Sequence, residues 1–296
     1  MNKTEDFNLL VERAMMIPGR ARMRPAIAKE LLHYDILFCL DSHGLLDKLT
    51  FQGGTSLRLC YGGLRFSEDL DFVGGRDFAT VHLIQMKKCL EKYLGERYGL
   101  EIMVKEPKEM ASLPKYEDIK VDKWQISITT LPDKKDIPKQ KIKIEVANVP
   151  AYSRVPKSLQ QNYEFLPDGY SDTLIMTETL DEIMADKLIA FVSCQRYVRY
   201  RDIWDLRWLI QQGAKINAEY LVAKINDYKE SDYLLKLRKM LSQLDEIVKS
   251  ESFYDEMTRF IPADVLERTL QKEKFIIFLI NENRALLEKV EKIITS

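Results

Sequence analysis

Phe51-Gln52-Gly53-Gly54-Thr55-Ser56-Leu57-Arg58-Leu59, followed shortly by Arg65-Phe66-Ser67-Glu68-Asp69-Leu70-Asp71-Phe72, is the stretch that decides the fold. A short strand, Leu49 to Phe51, runs into paired glycines, and a helix starts at Thr55-Ser56. After a turn at Gly62-Gly63, Asp69 to Val73 alternates as a strand and is closed by Gly74-Gly75. Paired glycines after a strand permit close backbone approach and open a helix whose free N–H groups attract anions. Thr55 and Ser56 add hydroxyl donors there. With a period of two, Asp69 and Asp71 share one face while Leu70 enters the core. Two carboxylates so placed repel unless a cation joins them. Oxygen ligands of that charge suit Mg²⁺ or Mn²⁺, which would in turn bridge a triphosphate. Singly, each element has a plainer reading, the glycines as an ordinary turn and the aspartates as a solvated strand face. Arg65 and Ser67 either shape the turn or touch a phosphate.

Working outward, residues 1–50 read as helical, with apolar residues at helical spacing from Ala26 to Leu37 and a break at Gly44. Val81 to Tyr93 reads as a helix. Leu100 to Val104, Trp124 to Thr129 and Lys141 to Val146 read as strands, with Leu131 to Lys139 as a hairpin connection. From about Thr177 the pattern is helical: a capped start at Thr177 to Glu182, a run from Ile183 to Cys194, another from Tyr200 to Gln212 stopped by Gly213, and two or three helices in 217–296. The composition shift at 150–176, with Pro150, Pro156, Pro167 and Gly169, marks a boundary. The expected architecture is α+β: residues 1–175 form a strand-rich lobe with N-terminal helices, and residues 176–296 an α-helical lobe completing the active-site cleft.

Three further residues bear on the chemistry. Glu145 lies in Ile142-Lys143-Ile144-Glu145-Val146, where the apolar residues share one face and Lys143 and Glu145 the other. If this strand neighbours the Asp-x-Asp strand, Glu145 completes a three-carboxylate site able to hold two metals, one activating a hydroxyl and one holding a triphosphate. Otherwise it pairs with Lys141 or Lys143 on an exposed face. Lys187 is a charge inside an otherwise apolar helix, either a phosphate contact or a lysine snorkelling over apolar neighbours. Asp205, four residues from Arg201 and three from Asp202, either orients Lys187 or takes a proton, or merely pairs with Arg201. Arg196, Arg199 and Arg201, interleaved with Tyr197, Tyr200 and Trp204, could form an RNA-backbone patch, with Trp204 in the core.

Composition sets outer limits. The chain has 296 residues, 46% hydrophobic and 31% charged, enough to bury a core without a disulfide or metal staple. Lys+Arg (45) balances Asp+Glu (46) to a net charge of −1, which excludes an overall basic coat but not a local basic cleft. Cys39, Cys60, Cys89 and Cys194 are scattered, as are three histidines, so neither a zinc site nor a disulfide framework is expected. The longest clean apolar run, Phe275 to Ile280, is far short of the ~18 residues a membrane span needs. The charged start has no signal-peptide character, and a cytoplasmic protein with no membrane partner is expected.

The Gly-Gly-Thr-Ser-Leu and Arg-Phe-Ser-Glu-Asp-Leu-Asp-Phe block resembles the first motif of the AbiEii/AbiGii toxin nucleotidyltransferases, the toxin half of AbiE-type (type IV) toxin–antitoxin systems. The resemblance runs over about residues 25–210, taking in Lys29-Glu30 through Leu37, Ile144-Glu145-Val146, Lys187 in a Glu-x-x-x-x-Lys helix, and Arg201-Asp202-Ile203-Trp204-Asp205-Leu206. It departs from many relatives in having Glu145 in place of aspartate, and residues after 213 match nothing in the motif set. The resemblance implies a DNA polymerase β-like lobe with a mixed, mostly antiparallel sheet. It further implies Mg²⁺-dependent (or Mn²⁺-dependent) transfer of a nucleoside monophosphate from an NTP to an acceptor hydroxyl, RNA and in some relatives the tRNA 3′ end. Growth inhibition and a separately encoded antitoxin belong to the same implication. On it Asp69, Asp71 and Glu145 are metal ligands, Gly53, Gly54, Thr55, Ser56, Arg65 and Ser67 bind nucleotide, Lys187 neutralises triphosphate charge and Asp205 positions it. Two other classes remain: an NTP-binding regulatory module without turnover, and a small-molecule nucleotidyltransferase of the aminoglycoside-modifying kind.

Overall fold

The computed structural model describes residues 5–107, 120–130 and 139–295, in two compact units, Met1–Thr177 and Glu178–Ser296. The expected connection at 131–138 lies outside the described residues. In the first unit the order is α1 (Phe7–Met15), α2 (Arg24–Ser42), β1 (Thr50–Gln52), α3 (Gly53–Tyr61), β2 (Leu70–Val73), a 3-10 turn (Thr80–Leu83), α4 (Met86–Tyr98), β3 (Ile102–Lys105), β4 (Val121–Ile128), β5 (Gln140–Ala147), β6 (Val155–Ser158) and β7 (Leu174–Thr177). One mixed sheet in the order β3-β4-β5-β2-β1-β7-β6 joins them. The β2–β5 and β1–β7 pairs are parallel and the other four antiparallel.

Alternation along β4 and β5 explains how the sheet is covered. Trp124, Ile126, Ile128, Ile142, Ile144 and Val146 are fully buried on one side, where α2 packs on β5 and α4 on β3. Lys123, Lys141 and Lys143 point to the other side and are exposed. The apolar side thus forms the core and the charged side stays wet, as expected for strands with one solvated face. Pro25 opens α2 and Ala26 to Leu40 is buried almost throughout, including Glu30, His33 and Asp35. Each polar group is matched: Arg58 grips Glu30 through Nε (2.7 Å) and a terminal nitrogen (3.0 Å), while the Tyr98 and Tyr170 hydroxyls donate to Asp35 (2.6 and 2.5 Å). Burial raises the Asp35 carboxyl to about 6.

The second unit is helical: α5 (Leu180–Ser193), α6 (Tyr200–Gln211), α7 (Ala218–Asp227), α8 (Tyr233–Lys249), α9 (Glu251–Thr258), α10 (Ala263–Arg268) and α11 (Glu273–Thr295). Asn217 caps α7 by accepting from the Glu219 and Tyr220 N–H groups, and Ser250 ends α8 while its hydroxyl caps α9. Gly213, at φ +83, follows α6.

Several boundaries differ from the sequence reading. The helix after β1 starts at Gly53, not Thr55. The helix expected from Val81 begins at Met86, because residues 80–83 close a 3-10 turn in which the Ala79 N–H donates to His82 Nδ1. Residues 155–158 and 174–177 are strands, and the described residues 217–295 hold five helices where two or three were expected. Among the described residues, no helix is long and apolar enough to cross a membrane.

Candidate active site

The bend between β1 and α3 sets the geometry. Gln52 is extended, and Gly53 turns into the helix at φ +76, a region that L side chains rarely adopt. A Cβ at Gly53 would lie 2.6 Å from Asp71 Oδ2, and one at Gly54 would lie 3.0 Å from Ser67 Oγ and collide with the Arg65 guanidinium. The two glycines are therefore the gap into which the Asp71 carboxylate and the Arg65–Ser67 loop fit. Asp71 sits opposite Gln52 on β1 and opposite Glu145 on β5. Glu145 in turn sits opposite Lys123 on β4. One row thus runs Lys123, Glu145, Asp71, Gln52 across four strands, on the solvated side of the sheet. Asp69, two residues before Asp71, shares that side. Its Oδ1 accepts the Lys143 backbone N–H (3.0 Å), and its Oδ2 lies 3.6 Å from the Lys143 ammonium.

Helix α2 holds the loop that carries these groups. Lys29 pairs with Glu68 (2.6 Å), and His33 Nε2 lies 2.9 Å from the Glu68 carbonyl. Burial pushes the His33 imidazole down to about 4, so it is neutral at pH 7 and donates to that carbonyl. Arg58 lies over the Phe66 ring, and Arg65 donates to the Phe66 carbonyl. The Thr55 hydroxyl donates to the Asp69 carbonyl at 2.5 Å.

The sequence reading is refined in one respect. Thr55 and Ser56 were expected to present hydroxyls to a ligand, yet both side chains are buried, Thr55 spent on Asp69 and Ser56 turned into the unit. What these residues can offer an anion is the backbone N–H row at the start of α3. Gly53 and Gly54 are half-buried and accessible, while Arg65 and Ser67 are nearly buried against Gly54. The three carboxylates Asp69, Asp71 and Glu145 come to one face in register. Asp69 and Glu145 are each held by a lysine, the latter through Lys123 Nζ at 3.0 Å. Hard carboxylate oxygens are the donor type that Mg²⁺ or Mn²⁺ takes, but as placed here Asp69, Asp71 and Glu145 do not bring one oxygen each within 4.8 Å of one another, so a shared ion would have to draw them together.

In the helical unit Lys187 is buried, with Nζ 2.9 Å from Asp202 Oδ1 and 2.7 Å from Asp205 Oδ2. Arg199 also pairs with Asp202. Burial opposes ionisation of Asp202, but Lys187 and Arg199 outweigh it and hold the carboxyl well below the usual range. Asp202, given no role by the sequence reading, is thus a full member of this cluster. Arg201 reaches Glu256 (3.5 Å) and stacks on Phe260. Trp204 is in the core, as expected, and Tyr197 is exposed.

A second acidic group went unnoticed in the sequence. Glu178, Glu182 and Asp186 bring carboxylate oxygens within 4.8 Å of one another in the interior. Lys224 fills their centre, 3.1, 2.9 and 2.6 Å from the three. Burial opposes charge on Lys224, but the carboxylates together raise its affinity for the proton, while burial, reinforced by Asp186, drives Glu178 well above the carboxylate range. An ammonium already supplies the counter-charge a metal would bring. The i, i+4 spacing of Glu182 and Asp186 on α5 was a legible signal, with Glu178 just before the helix cap at Thr179. Lys224, 38 residues from Asp186, was not.

The family model described as "Nucleotidyl transferase AbiEii toxin, Type IV TA system" matches residues 35–279. Among solved structures, JHP933 from Helicobacter pylori is similar at 18% identity and a TM-score of 0.43, over 89% of this chain and 93% of that one. A second H. pylori chain, described provisionally as a nucleotidyltransferase, is similar at 18% identity and a TM-score of 0.43, over 89% of this chain and 96% of that one. No curated protein matches the chain.

Proposed function

The chain belongs to the AbiEii family of nucleotidyltransferase toxins of type IV toxin–antitoxin systems, and from that premise we propose that it transfers a nucleoside monophosphate from an NTP to a hydroxyl of RNA, the tRNA 3′ end being the acceptor, and so inhibits growth. Family membership implies an NTP substrate and a cognate antitoxin; NTP and tRNA as substrates make the cytoplasm its place of action. In the reaction the acceptor oxygen bonds to the α-phosphorus, the bond to the β-phosphate bridge breaks, and pyrophosphate leaves with that electron pair. The acceptor proton passes to a carboxylate or to water.

Asp69 and Asp71 would hold the divalent ion, with Glu145 as third ligand or as base. That ion supplies Lewis-acid charge to the triphosphate and acidifies the attacking hydroxyl. Gly53 and Gly54 let the triphosphate approach the first N–H groups of α3, and Thr55 and Ser56 contribute backbone N–H rather than hydroxyls. Arg65 and Ser67 fix the loop against Gly54 and offer further donors. Lys187 would neutralise triphosphate charge and Asp205 would position it; the 2.7 Å contact supports the pairing of these two residues.

The observation that carries this reading is the fit of the Asp71 carboxylate into the di-glycine gap, in register with Glu145. Exposed lysines beside the carboxylates favour a polyanionic acceptor over a cationic aminoglycoside. The deciding experiment incubates the pure protein with each α-labelled NTP, Mg²⁺ and total RNA. Labelled RNA is expected with the parent and none with Asp69→Ala, whose fold and melting temperature stay close to the parent's. Labelling by Asp69→Ala at the parental rate would refute the assignment, and nucleotide binding without pyrophosphate release would favour a regulatory module.

A further inference from the structure

The lysines that hold two of these carboxylates carry a consequence for the same site, and it rests on the proposed nucleotidyltransferase reading. Lys143 holds Asp69 and Lys123 holds Glu145, each by an ammonium on the solvated side of the sheet. Both lysines are about half exposed, at 49% and 57%, and the carboxylates at 32% and 24% are wet as well. Exposed pairs of this kind are weak and easily exchanged, and a lysine carries its charge on a flexible four-carbon stem. The same two lysines, with Lys105 and Lys120, line a groove of about 410 Å³. Its acidic lining residues are Glu106 and Asp122, and Asp122 is buried and spent on Thr80 and Lys120.

We propose that Lys123 and Lys143 are exchangeable counter-ions. Without metal they neutralise Glu145 and Asp69. When a divalent cation takes those carboxylates, the two ammonium groups turn to the phosphates of the bound substrate, in the groove they share with Lys105. Metal loading and phosphate binding are then coupled: the ion must displace the lysines, and their displacement readies the phosphate site. The phosphates belong either to the triphosphate or to the acceptor backbone.

The test uses the full chain with Lys123→Met and Lys143→Met, singly and together, and Lys123→Gln and Lys143→Gln as a second set. Mn²⁺ binding is followed by electron paramagnetic resonance without nucleotide. Each removal is expected to tighten Mn²⁺ binding about two- to fivefold, since a competing cation is lost. Binding of α,β-methylene NTP analogues, and separately of a short single-stranded RNA, is then measured with Ca²⁺ in place of the catalytic ion. Weakening of the analogue alone assigns the lysines to the triphosphate. Weakening of the RNA, with its salt slope reduced by roughly 0.7 per lysine, assigns them to the acceptor. Mn²⁺ binding that is unchanged or weaker in both sets overturns the exchange, as does tighter Mn²⁺ with neither phosphate ligand weakened. Asp69→Ala separates the two layers. If it abolishes Mn²⁺ binding while the lysine variants do nothing, only the exchange is wrong. If Mn²⁺ binding survives it, the ion sits elsewhere and the nucleotidyltransferase site itself is misassigned.

Discussion

Replacing Gly53 by alanine tests the central contact with a built-in control. Gly53 and Gly62 both have φ +76, so alanine at either costs the left-handed strain of an L residue, about 1–2 kcal/mol. They differ in what the new methyl meets. At Gly62 there is nothing within 4 Å, whereas at Gly53 the Cβ would be 2.6 Å from Asp71 Oδ2. Ordinary contact begins near 3.4 Å, so the carboxylate must retreat by about 0.8 Å, and a misplacement of about 1 Å can cost some 10²-fold in rate. Both variants should therefore melt within a few degrees of each other, a loss of roughly 2–4 °C per kcal/mol. Only Gly53→Ala should lose transfer, by about 10²-fold. Scanning fluorimetry gives the first quantity and incorporation of α-labelled NTP into RNA the second. Equal activity losses in the two variants, or full activity in Gly53→Ala, would show that the Asp71–glycine contact does not govern the chemistry.

Three further outcomes follow from the buried charges. Burial holds the His33 imidazole down at about 4 in the folded chain, against an ordinary 6.5. Its contribution is complete above pH 6.5 and is lost as pH falls toward 4, because the unfolded chain takes up the proton first. Relative to His33→Gln, which retains a donor for the Glu68 carbonyl, the parent should lose about 3 kcal/mol between pH 7 and pH 4 in urea unfolding; parallel curves for the two proteins would contradict this. Lys187→Met leaves Asp202 and Asp205 buried without their shared cation and should destabilise the helical unit by about 3–5 kcal/mol. Adding Asp202→Asn should recover part of that loss, and a single variant as stable as the parent would mean the cluster is not held as described. Lys224→Met should likewise cost several kcal/mol, and its melting temperature should rise on adding Mn²⁺ or on mild acidification, since either replaces the missing positive charge. A variant indifferent to both would show that Glu178, Glu182 and Asp186 do not repel one another.

The missed elements share a physical cause. The strands β6 and β7 lie in the stretch whose Pro150, Pro156, Pro167 and Gly169 read as a boundary, and Pro156 argues against a strand anywhere but an edge. β6 is indeed an edge strand. The extra helices of 217–296 are separated by turns with few glycines or prolines; a single serine, Ser250, ends α8 and begins α9. The hydroxyls of Thr55 and Ser56 were misjudged because a helix starting at Gly53 rather than Thr55 turns them inward.

Local period and residue type carry the alternation that sets Asp69 and Asp71 on one face, the matching alternation around Glu145, the glycine pair, the apolar helix of α2 and the change to helices in the last third. Which strands lie side by side follows from the folding of the whole chain. Parallel pairing of β2 with β5, with Asp71 opposite Glu145, and antiparallel pairing of β5 with β4, with Glu145 opposite Lys123, bring together residues distant in sequence. Lys224 among three carboxylates, and Lys187 between Asp202 and Asp205, are likewise products of packing. Period is written in neighbouring residues, whereas register and packing minimise the free energy of the whole chain and so have no local signature.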